Sequence, residues 1–386
     1  MRTIIYTGKG GVGKTSLSAA TALAAARAGH RTLVMSTDSA HSLGDSLGVP
    51  LGADPTKVTE NLEGQEIDVL TEMERHWKEV YTYLTDLLRS QGMEEITAKE
   101  IVILPGMDLI AALLLLENYE RTERYDVVVM DTAPTADTLR LLSMPDVLRW
   151  YFDRFFSMQR RIAKIARPTV GRVMKTPLPT DSFFDAVQLL YSRAQRVREM
   201  LSDGKQTTVR LVLNPQKMVI SETQRAFTYL CLFDIPIELL VVNNVLATHD
   251  DVKFPQEALA EQKKNLETIQ EIFGEVPILY SPRYPREVLG IDRLLTLADD
   301  VFKKQDPSKI FASLHPIRFF TKGGVKKLSI ELPFAENEKL DVVTRGDTLY
   351  VRVGWHRRTI LLPYAYVGSK LGEAKYASHR LTIDFK

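Results

Sequence analysis

Near its N-terminus the chain contains the glycine-rich stretch Thr7-Gly8-Lys9-Gly10-Gly11-Val12-Gly13-Lys14-Thr15. It follows the apolar residues 3–6 and precedes an alanine-rich stretch at residues 16–28. A strand, a glycine loop and a helix in this order are the context in which the pattern G-x-x-x-x-G-K-[ST] holds phosphate. The glycines allow backbone N–H groups to surround phosphate oxygens, and the N-terminus of the helix adds its dipole.

The loop predicts a nucleotide site that contains two lysines. Lys14 is expected to reach the β- and γ-phosphates, and Thr15 is expected to ligate Mg²⁺. Lys9 is a second cation near the start of the loop. A chance glycine turn is the weaker alternative, because the flanking strand, the flanking helix and both lysines fit the pattern. The predicted nucleotide-binding residues of the loop are Gly8, Lys9, Gly10, Gly11, Val12, Gly13, Lys14, Thr15 and Ser16.

Length and composition restrict the class of protein. The 386 residues suit two domains, and the net charge of +1 does not point to nucleic acid as a partner. The single cysteine, Cys231, excludes a disulfide framework and a multi-cysteine metal site within one chain. The sequence shows neither a signal-peptide pattern nor an apolar run of membrane-spanning length. We therefore expect a soluble, cytoplasmic protein, with peripheral contact to membranes left open.

Residues 1–303 alternate between strand-like and helix-like segments. The strand-like segments are short and apolar at successive positions, which is typical of strands covered on both faces. This alternation predicts an α/β fold, namely a P-loop NTPase with a doubly wound, mostly parallel sheet. Residues 72–120 and 146–203 are expected to form a helical insertion subdomain. The predicted strands are Arg2–Thr7, Thr32–Ser36, Val127–Asp131, Thr208–Asn214 and Leu239–Asn243.

The pattern changes near residue 303. Residues 304–313 are polar and are interpreted as a linker. Residues 314–386 contain runs that alternate between apolar and polar residues, for example 327–332 and 380–385. Alternation with period two predicts an antiparallel β module, here a small all-β sandwich at the C-terminal end.

A second nucleotide motif ends at Asp131. The run Val127-Val128-Val129-Met130-Asp131 places a carboxylate at the end of a buried strand, as in a Walker B motif, where it holds Mg²⁺. A turn that contains Pro134 follows. The alternative is that Asp131 only caps the next helix, but the glycine loop requires a carboxylate partner of this kind.

A third segment, Ser36-Thr37-Asp38-Ser39-Ala40-His41-Ser42-Leu43-Gly44-Asp45, follows the second predicted strand. Asp38 and Asp45 are both expected within reach of the phosphates, one to order Mg²⁺-bound water and the other to orient the attacking water, because phosphoryl transfer depends on such positioning. The residues themselves leave open which aspartate takes which role. His41 is a candidate base, although bracing the loop by a hydrogen bond is the commoner role for such a histidine.

Together these segments resemble the ArsA-type ATPases, which include the arsenical pump-driving ATPase and the GET-pathway ATPase for tail-anchored membrane proteins. The resemblance covers residues 1–303 and rests on residues 9–15, 36–43 and 131–142. It implies ATP hydrolysis with ATP and Mg²⁺ as cofactors, in a homodimer. Lys9 is then expected to contact the partner's nucleotide, and Asp45 to act in catalysis together with Lys9 and Lys14.

The resemblance also assigns residues outside the loop. Asp38, His41, Asp45, Asp131 and Pro134 match the two switch segments, and Thr15, Asp38 and Asp131 match the Mg²⁺ ligands. Asn243 matches the asparagine that contacts adenine, with the neighbouring Asn244 as an alternative. Pro282 and Arg283 match the loop beside the base, and Glu222 and Arg225 match a motif interpreted as structural.

This sequence differs from the ArsA-type family at several positions, and these differences restrict the predicted function. One ATPase half and one cysteine make arsenite pumping the weaker function. The Cys-x-x-Cys zinc site of the eukaryotic targeting ATPases is missing, since residues 246–251 contain no thiol. No zinc site is therefore predicted. The C-terminal module resembles the α-crystallin (Hsp20-like) domain, a combination that resembles a cyanobacterial and plastid subgroup.

Residues 146–175 approximate an amphipathic, basic pattern. The resemblance implies an apolar groove there that holds a transmembrane helix of a client, so hydrophobic helices are the expected partners. An ordinary core face is the alternative for this segment. Two other functions stay open: a switch that lies on an anionic membrane surface, and an ATP-regulated holdase that uses the β module.

Overall fold

The computed structural model describes residues 1–37, 42–102, 107–132, 179–246, 254–312, 316–336, 338–354 and 356–386. Among the helices in these ranges, none is both long and apolar enough to cross a membrane.

The first part of the chain is built on an eight-stranded sheet with the order β3-β4-β2-β5-β1-β6-β7-β8. All neighbouring strands are parallel except β3, which runs antiparallel to β4. The five strands expected from the sequence are β1, β2, β5, β6 and β7, so the predicted fold class is confirmed. The strands are β1 Arg2–Gly8, β2 Thr32–Ser36, β3 Thr56–Lys57, β4 Leu62–Glu66, β5 Val127–Asp131, β6 Thr207–Leu213, β7 Ile237–Val245 and β8 Ile278–Pro282.

Helices cover both faces of this sheet, which explains why the central strands are buried at nearly every position. Strand β4 was missed by sequence reasoning because its residues, Leu-Glu-Gly-Gln-Glu, lack the apolar run that marks β2 and β5. The described helices are α1 Lys14–Arg27, α2 Ser42–Leu47, α3 Val69–His76, α4 Lys78–Ser90, α5 Glu95–Val102, α6 Met107–Arg121, α7 Asp181–Ser202, α8 Lys217–Leu232, α9 Gln256–Phe273 and α10 Ile291–Phe302.

Helices α3 to α7 form a helical layer that includes the described part of the predicted insertions. The N-terminus of α7 is capped by Thr180, whose hydroxyl oxygen accepts a hydrogen bond from the Phe183 N–H at 3.1 Å. The buried carboxylate of Glu117 on α6 lies 2.8 Å from Arg193 and 2.9 Å from Arg196, both on α7. These charge-assisted contacts join two helices that are distant in sequence, since Arg193 and Glu117 are 76 positions apart.

The C-terminal part of the chain is a β-sandwich made of a four-stranded sheet, β14-β15-β10-β9, and a three-stranded sheet, β11-β12-β13. Alternate residues, such as Leu328, Leu349 and Ile383, point into the core and are fully buried. The predicted β module is therefore confirmed. Its strands are β9 Ile317–Lys322, β10 Val325–Glu331, β11 Leu340–Arg345, β12 Thr348–Val353, β13 His356–Leu361, β14 Leu371–Ala377 and β15 Arg380–Phe385.

A buried ionic cluster joins Arg2 and Glu238, at the amino-terminal ends of β1 and β7, to Arg210 in the middle of β6. The fully buried guanidinium of Arg210 donates to Glu238 at 2.7 Å, and Arg2 donates to the same carboxylate at 2.8 Å. Arg210 also donates to the carbonyl of Pro307 at 2.5 Å, and Glu238 accepts from the Phe311 N–H at 3.2 Å. The segment interpreted as a linker is thus packed against the sheet, while the predicted domain limits stay a prediction.

The sandwich packs on helix α8 through aromatic side chains. The ring of Phe334 lies 6.0 Å from that of Phe227 on α8 and 5.5 Å from that of Phe273 at the end of α9. Arg358 of β13 lies over the ring of Phe233 at 4.9 Å. These contacts bury apolar and cationic surface between the two parts of the chain, so the sandwich is a fixed part of the fold.

We predict that Arg210→Met lowers the free energy of unfolding by about 3 kcal/mol, because it removes one partner of a fully buried ion pair and leaves the Pro307 carbonyl without its donor. Arg31→Met is the matched control. Arg31 pairs with Asp126 on the surface, where such a pair adds little to stability, so its loss should have a small effect. Urea denaturation followed by circular dichroism measures both variants, and equal losses would show that burial of the Arg210 cluster is not stabilising.

Candidate functional site

The glycine loop connects the carboxyl end of β1 to helix α1. Gly13 is the N-cap of α1 and has φ 95°, in the left-handed region that favours glycine. A Cβ atom at Gly13 would lie 2.2 Å from Nδ2 of Asn243. That Nδ2 donates a hydrogen bond to the carbonyl of Val12 at 2.8 Å. Asn243, at the end of β7, therefore holds the loop in place, and only glycine leaves room for it.

Inside the loop, the structure brings together the residues expected at the phosphates. Lys14 is buried, and its Nζ donates to the carbonyl of Lys9 at 3.1 Å. The hydroxyl of Thr15 donates to Oδ2 of Asp131 at 2.6 Å. Oxygen ligands of this kind, a hydroxyl and a carboxylate beside a phosphate loop, are the donors that Mg²⁺ prefers. The residues therefore fit Mg²⁺ and a nucleotide phosphate, where a bound Mg²⁺ would neutralise developing negative charge.

Helix α2 of the first switch segment lies beside Thr15. The Ser42 hydroxyl at its beginning is 3.5 Å from the Thr15 hydroxyl. The Gly44 N–H donates to the Glu66 carboxylate at 2.9 Å, and the carbonyl of Ser46 accepts from the Gly290 N–H at 2.8 Å. Asp45 is on this helix and is exposed. The end of β4 and the loop after β8 thus hold the helix that carries Asp45.

Lys9 points out of the loop. Its Nζ lies 3.7 Å from Oε2 of Glu222 on α8 of the same chain, and about one third of each side chain is exposed. Glu222 was interpreted from the sequence as structural, but the structure places its charge against the second loop lysine. The attraction between Lys9 and Glu222 is weak, because the two side chains are partly exposed and their charged atoms are 3.7 Å apart. Lys9 is therefore accessible from outside the chain.

A cavity of about 580 Å³ opens at the carboxyl ends of β6, β7 and β8. Its volume is in the range of sites for small organic ligands. The sequence left Asn243 and Asn244 as alternatives for the base contact, and the cavity is lined by Asn244, while Asn243 contacts the loop. Pro282 ends β8, and Arg283 next to it lines the cavity. The other polar residues of the lining include Asn214, Gln216, Gln262 and Asn265.

Several predicted residues lie outside the described part of the chain, namely Asp38, His41, Pro134, residues 146–178 and residues 247–253. In the described residues, sequence reasoning missed the roles of Glu66 and Gly290. The role of Glu66 could have been predicted from its place as a carboxylate at the end of a strand. That prediction would have required recognising β4 as a strand in the sequence. Gly290 carries no local signal, because its partner Ser46 is far away in sequence.

Two family models match the chain. Residues 1–303 match the anion-transporting ATPase family, ArsA, and residues 323–385 match the HSP20-like domain found in ArsA. The chain belongs to the ArsA-type ATPases. The resemblance seen in the sequence is thereby confirmed, and the protein is an ATP hydrolase that binds nucleotide.

Relatives of this ArsA-type ATPase cover nearly its whole length. It is 39% identical to a protein of Aquifex aeolicus named arsenical pump-driving ATPase 1, over 94% of both chains. A similarly named protein of Prosthecochloris vibrioformis is 38% identical over 100% of this chain and 96% of its own. An ATPase ASNA1 homolog of Paramecium tetraurelia is 28% identical over 78% of this chain and 93% of its own.

We predict that Gly13→Ala lowers the affinity for ATP by roughly 100-fold. The left-handed backbone at residue 13 would be strained by about 2–3 kcal/mol, and the new Cβ would displace Asn243 from the loop. Gly29→Ala is the matched control, since Gly29 has φ 98° but a Cβ there would meet nothing within 4 Å. Titration with a fluorescent ATP analogue measures both variants. Retained ATP affinity in Gly13→Ala would contradict the tight fit of Asn243 against the loop.

The two asparagines give a separate prediction. Asn243→Ala should weaken ATP and GTP equally, by roughly tenfold, because it loosens the loop around the phosphates. Asn244→Ala should weaken ATP more than GTP, because Asn244 lines the cavity that would hold the base. Competition titrations with both nucleotides measure this difference, and the opposite pattern would assign the base contact to Asn243.

Proposed function

We propose that this ATPase is a nucleotide-switched homodimer that binds hydrophobic helices of tail-anchored-like membrane proteins. The observation that carries the proposal is an exposed apolar surface on the helical layer. Ile96 is 72% exposed and Leu189 is 56% exposed, although both lie on helices that pack in this layer. Exposed large apolar side chains favour a binding role for the part of the protein that carries them. The exposed apolar residues of the layer are Leu70, Leu84, Met93, Ile96, Ile101 and Leu189.

The helical layer is connected to the nucleotide site through the chain. Helices α3 to α6 leave β4 after Glu66 and return to β5, which ends at Asp131. Glu66 holds the helix of Asp45, and Asp131 holds Thr15. A change at the phosphates therefore acts on both ends of the layer that carries the apolar surface. This connection supports a nucleotide-dependent client site.

We assign the chemistry of hydrolysis to the residues around the loop. Lys14 stabilises charge on the β- and γ-phosphates, and Asp45 orients the attacking water. Thr15, Asp131 and Asp38 would hold Mg²⁺, which would neutralise charge on the phosphates. Lys9 leaves Glu222 and contacts the partner's nucleotide in the closed dimer. The proposed place of action is the cytoplasm, at or near a membrane surface that supplies or receives the client.

The dimer role of Lys9 has a direct test. We expect Lys9→Ala to bind ATP as a monomer but to lose ATP-dependent dimerisation and most of its hydrolysis, because a charge-assisted contact across the interface is removed. Light scattering after size exclusion, with and without ATP, measures the change. Glu222→Gln, which removes only the contact within the chain, is the control and should still dimerise. Full dimerisation and hydrolysis by Lys9→Ala would reject the role in trans.

The client site is tested with a fluorescent apolar helical peptide of about 20 residues, the length of a membrane span. Binding is measured with the Asp45→Asn variant, which should hold ATP without hydrolysis. We expect Ile96→Asp with Leu189→Asp to weaken binding by more than about tenfold, since both side chains lose apolar contact area. Tyr364→Asp changes a side chain that is 96% exposed on the sandwich and is the control.

Each result of the client test favours one function. No ATP-dependent peptide binding by the Asp45→Asn variant would reject the client proposal. Binding to anionic vesicles without any client would favour the membrane-surface switch instead. Peptide protection that depends on the sandwich, rather than on Ile96 and Leu189, would favour the holdase.

Arsenite handling, which the names of several relatives suggest, receives less support from this chain. Its one thiol, Cys231, is fully buried on α8, and burial raises the pKa of that thiol well above its usual value. Metalloids bind thiolates, so a buried thiol with a raised pKa is a poor ligand. Client binding by the helical layer accounts for exposed surface that arsenite handling leaves unexplained.

A further inference from the structure

A second large cavity, of about 970 Å³, lies between the sandwich and the ATPase part of the chain. Its floor is the outer face of the four-stranded sheet, and Ser202 and Asp234 of the ATPase part form one wall. None of the residues that line this cavity is assigned to the nucleotide site. The charged and aromatic residues of its lining are Asp234, Arg318, Phe319, Phe320, Lys322, Lys327 and Arg380.

Strand register places the cations on one face. Arg318 lies opposite Ser329, and Phe320 lies opposite Lys327, in the pairing of β9 with β10. Residues at alternate positions of a strand share a face, so Lys322 lies on this face as well. The other face contains Leu328, which is part of the sandwich core. The cavity is therefore lined by an outward, basic sheet face.

Two of these cations have no anion in the described residues. Lys327 pairs with Asp384 at 2.6 Å, and Arg380 pairs with Glu331. Neither Arg318 nor Lys322 forms an ion pair with any described residue. Their positive charge stands beside Phe320, an aromatic ring that is 38% exposed. This combination favours a ligand that carries carboxylates together with apolar groups.

Strand β9 is an edge of its sheet. Gly323 and Gly324, with φ 59° and 76°, form the two-residue turn to β10, and such a turn makes the flanking Lys322 and Val325 a hydrogen-bonded pair. Hydrogen-bonded pairs alternate along the strands, so the N–H and C=O groups of Phe319 and Thr321 point away from β10. No other described strand pairs with them.

The first residue of β9 is already hydrogen-bonded on the side that faces away from β10. Asp234 accepts a hydrogen bond from the Ile317 N–H at 3.3 Å and so occupies the start of β9. The open part of the edge begins at Phe319 and runs along the basic residues. An unprotected edge of this kind is a template for another strand.

We propose that this edge and cavity bind an extended peptide segment with acidic side chains, which adds to β9 as a further strand. Its main chain pairs with Phe319 and Thr321. Its carboxylates, at alternate positions on the outer face, pair with Arg318 and Lys322. An alternating row of N–H and C=O groups is complementary to a peptide main chain and not to a lipid headgroup or a nucleic acid backbone. For this reason the edge selects a peptide among anionic ligands.

The experiment uses the full chain and the fluorescein-labelled peptide Glu-Val-Glu-Val-Glu-Val-Glu, followed by fluorescence anisotropy. We expect saturable binding that weakens as salt is added. Arg318→Glu with Lys322→Glu should weaken binding by about tenfold or more, because two attractive contacts become repulsive. Lys339→Glu with Arg345→Glu, which reverses two exposed charges elsewhere on the sandwich, should leave binding unchanged.

Strand addition is tested separately from charge. Thr321→Pro removes an N–H that faces the open edge and leaves the pairing with β10 intact, so it should weaken binding several-fold. A peptide with alternate amides methylated should also bind poorly. Unchanged ATP hydrolysis and circular dichroism show that the variants are folded, since none of these residues is in the nucleotide site.

Three results would overturn the proposal: no peptide binding by the wild type, equal binding by the two charge-reversed variants, or full binding by Thr321→Pro together with full binding of the methylated peptide. The last result would leave an anion site without strand addition. Phosphatidylserine vesicles and a single-stranded oligonucleotide are tested in the same assay. If either binds through Arg318 and Lys322 more tightly than the peptide does, the selection of a peptide is rejected.

Discussion

The hydrogen bond of 2.6 Å between the Thr15 hydroxyl and the Asp131 carboxylate joins the two nucleotide motifs. It forms because β1 and β5 are parallel neighbours, with Tyr6 opposite Asp131. Parallel strands bring their carboxyl ends to one edge, so residues more than one hundred positions apart meet there. The helix of Asp45, the lysines of the loop and the Asn243 contact are all arranged around this pair. Loss of the β1–β5 pairing would separate the glycine loop and Asn243, on the β1–β6–β7 side of the sheet, from Asp131 on the other side.

Helix α8 contacts both the nucleotide loop and the sandwich. Near its beginning, Glu222 lies against Lys9, and further along, Phe227 packs against Phe334 of the sandwich. The buried pair of Arg210 and Glu238 contacts residues 307 and 311, which lie in the segment that connects the ATPase part to the sandwich. The Phe227–Phe334 contact and the Arg210–Glu238 pair both fix the sandwich to the ATPase part of the chain. A partner on the sandwich therefore contacts a unit that is continuous with the ATPase.

The two proposed binding surfaces differ in chemistry, and each follows from a different constraint. On the helical layer, Ile96 and Leu189 expose apolar area, which favours apolar helices whose own surface avoids water. On β9, Phe319 and Thr321 expose main-chain groups beside Arg318 and Lys322, which favours an extended acidic segment. One partner could carry both features, since a membrane protein has an apolar helix and charged extended segments outside it.

The glycine loop, the carboxylate of Asp131, five strands of the sheet and the change to an antiparallel module could all be predicted from the sequence, because they depend on local pattern and period. Strand β4 could not be predicted in this way, since its residues have no apolar run. Three sets of contacts became visible only in the folded chain: Asn243 supports the loop while Asn244 lines the cavity, Glu222 faces Lys9, and Arg210 pairs with Glu238 under the segment at 304–312. These contacts join residues that are distant in sequence, and strand order, which no local pattern encodes, decides which of them meet.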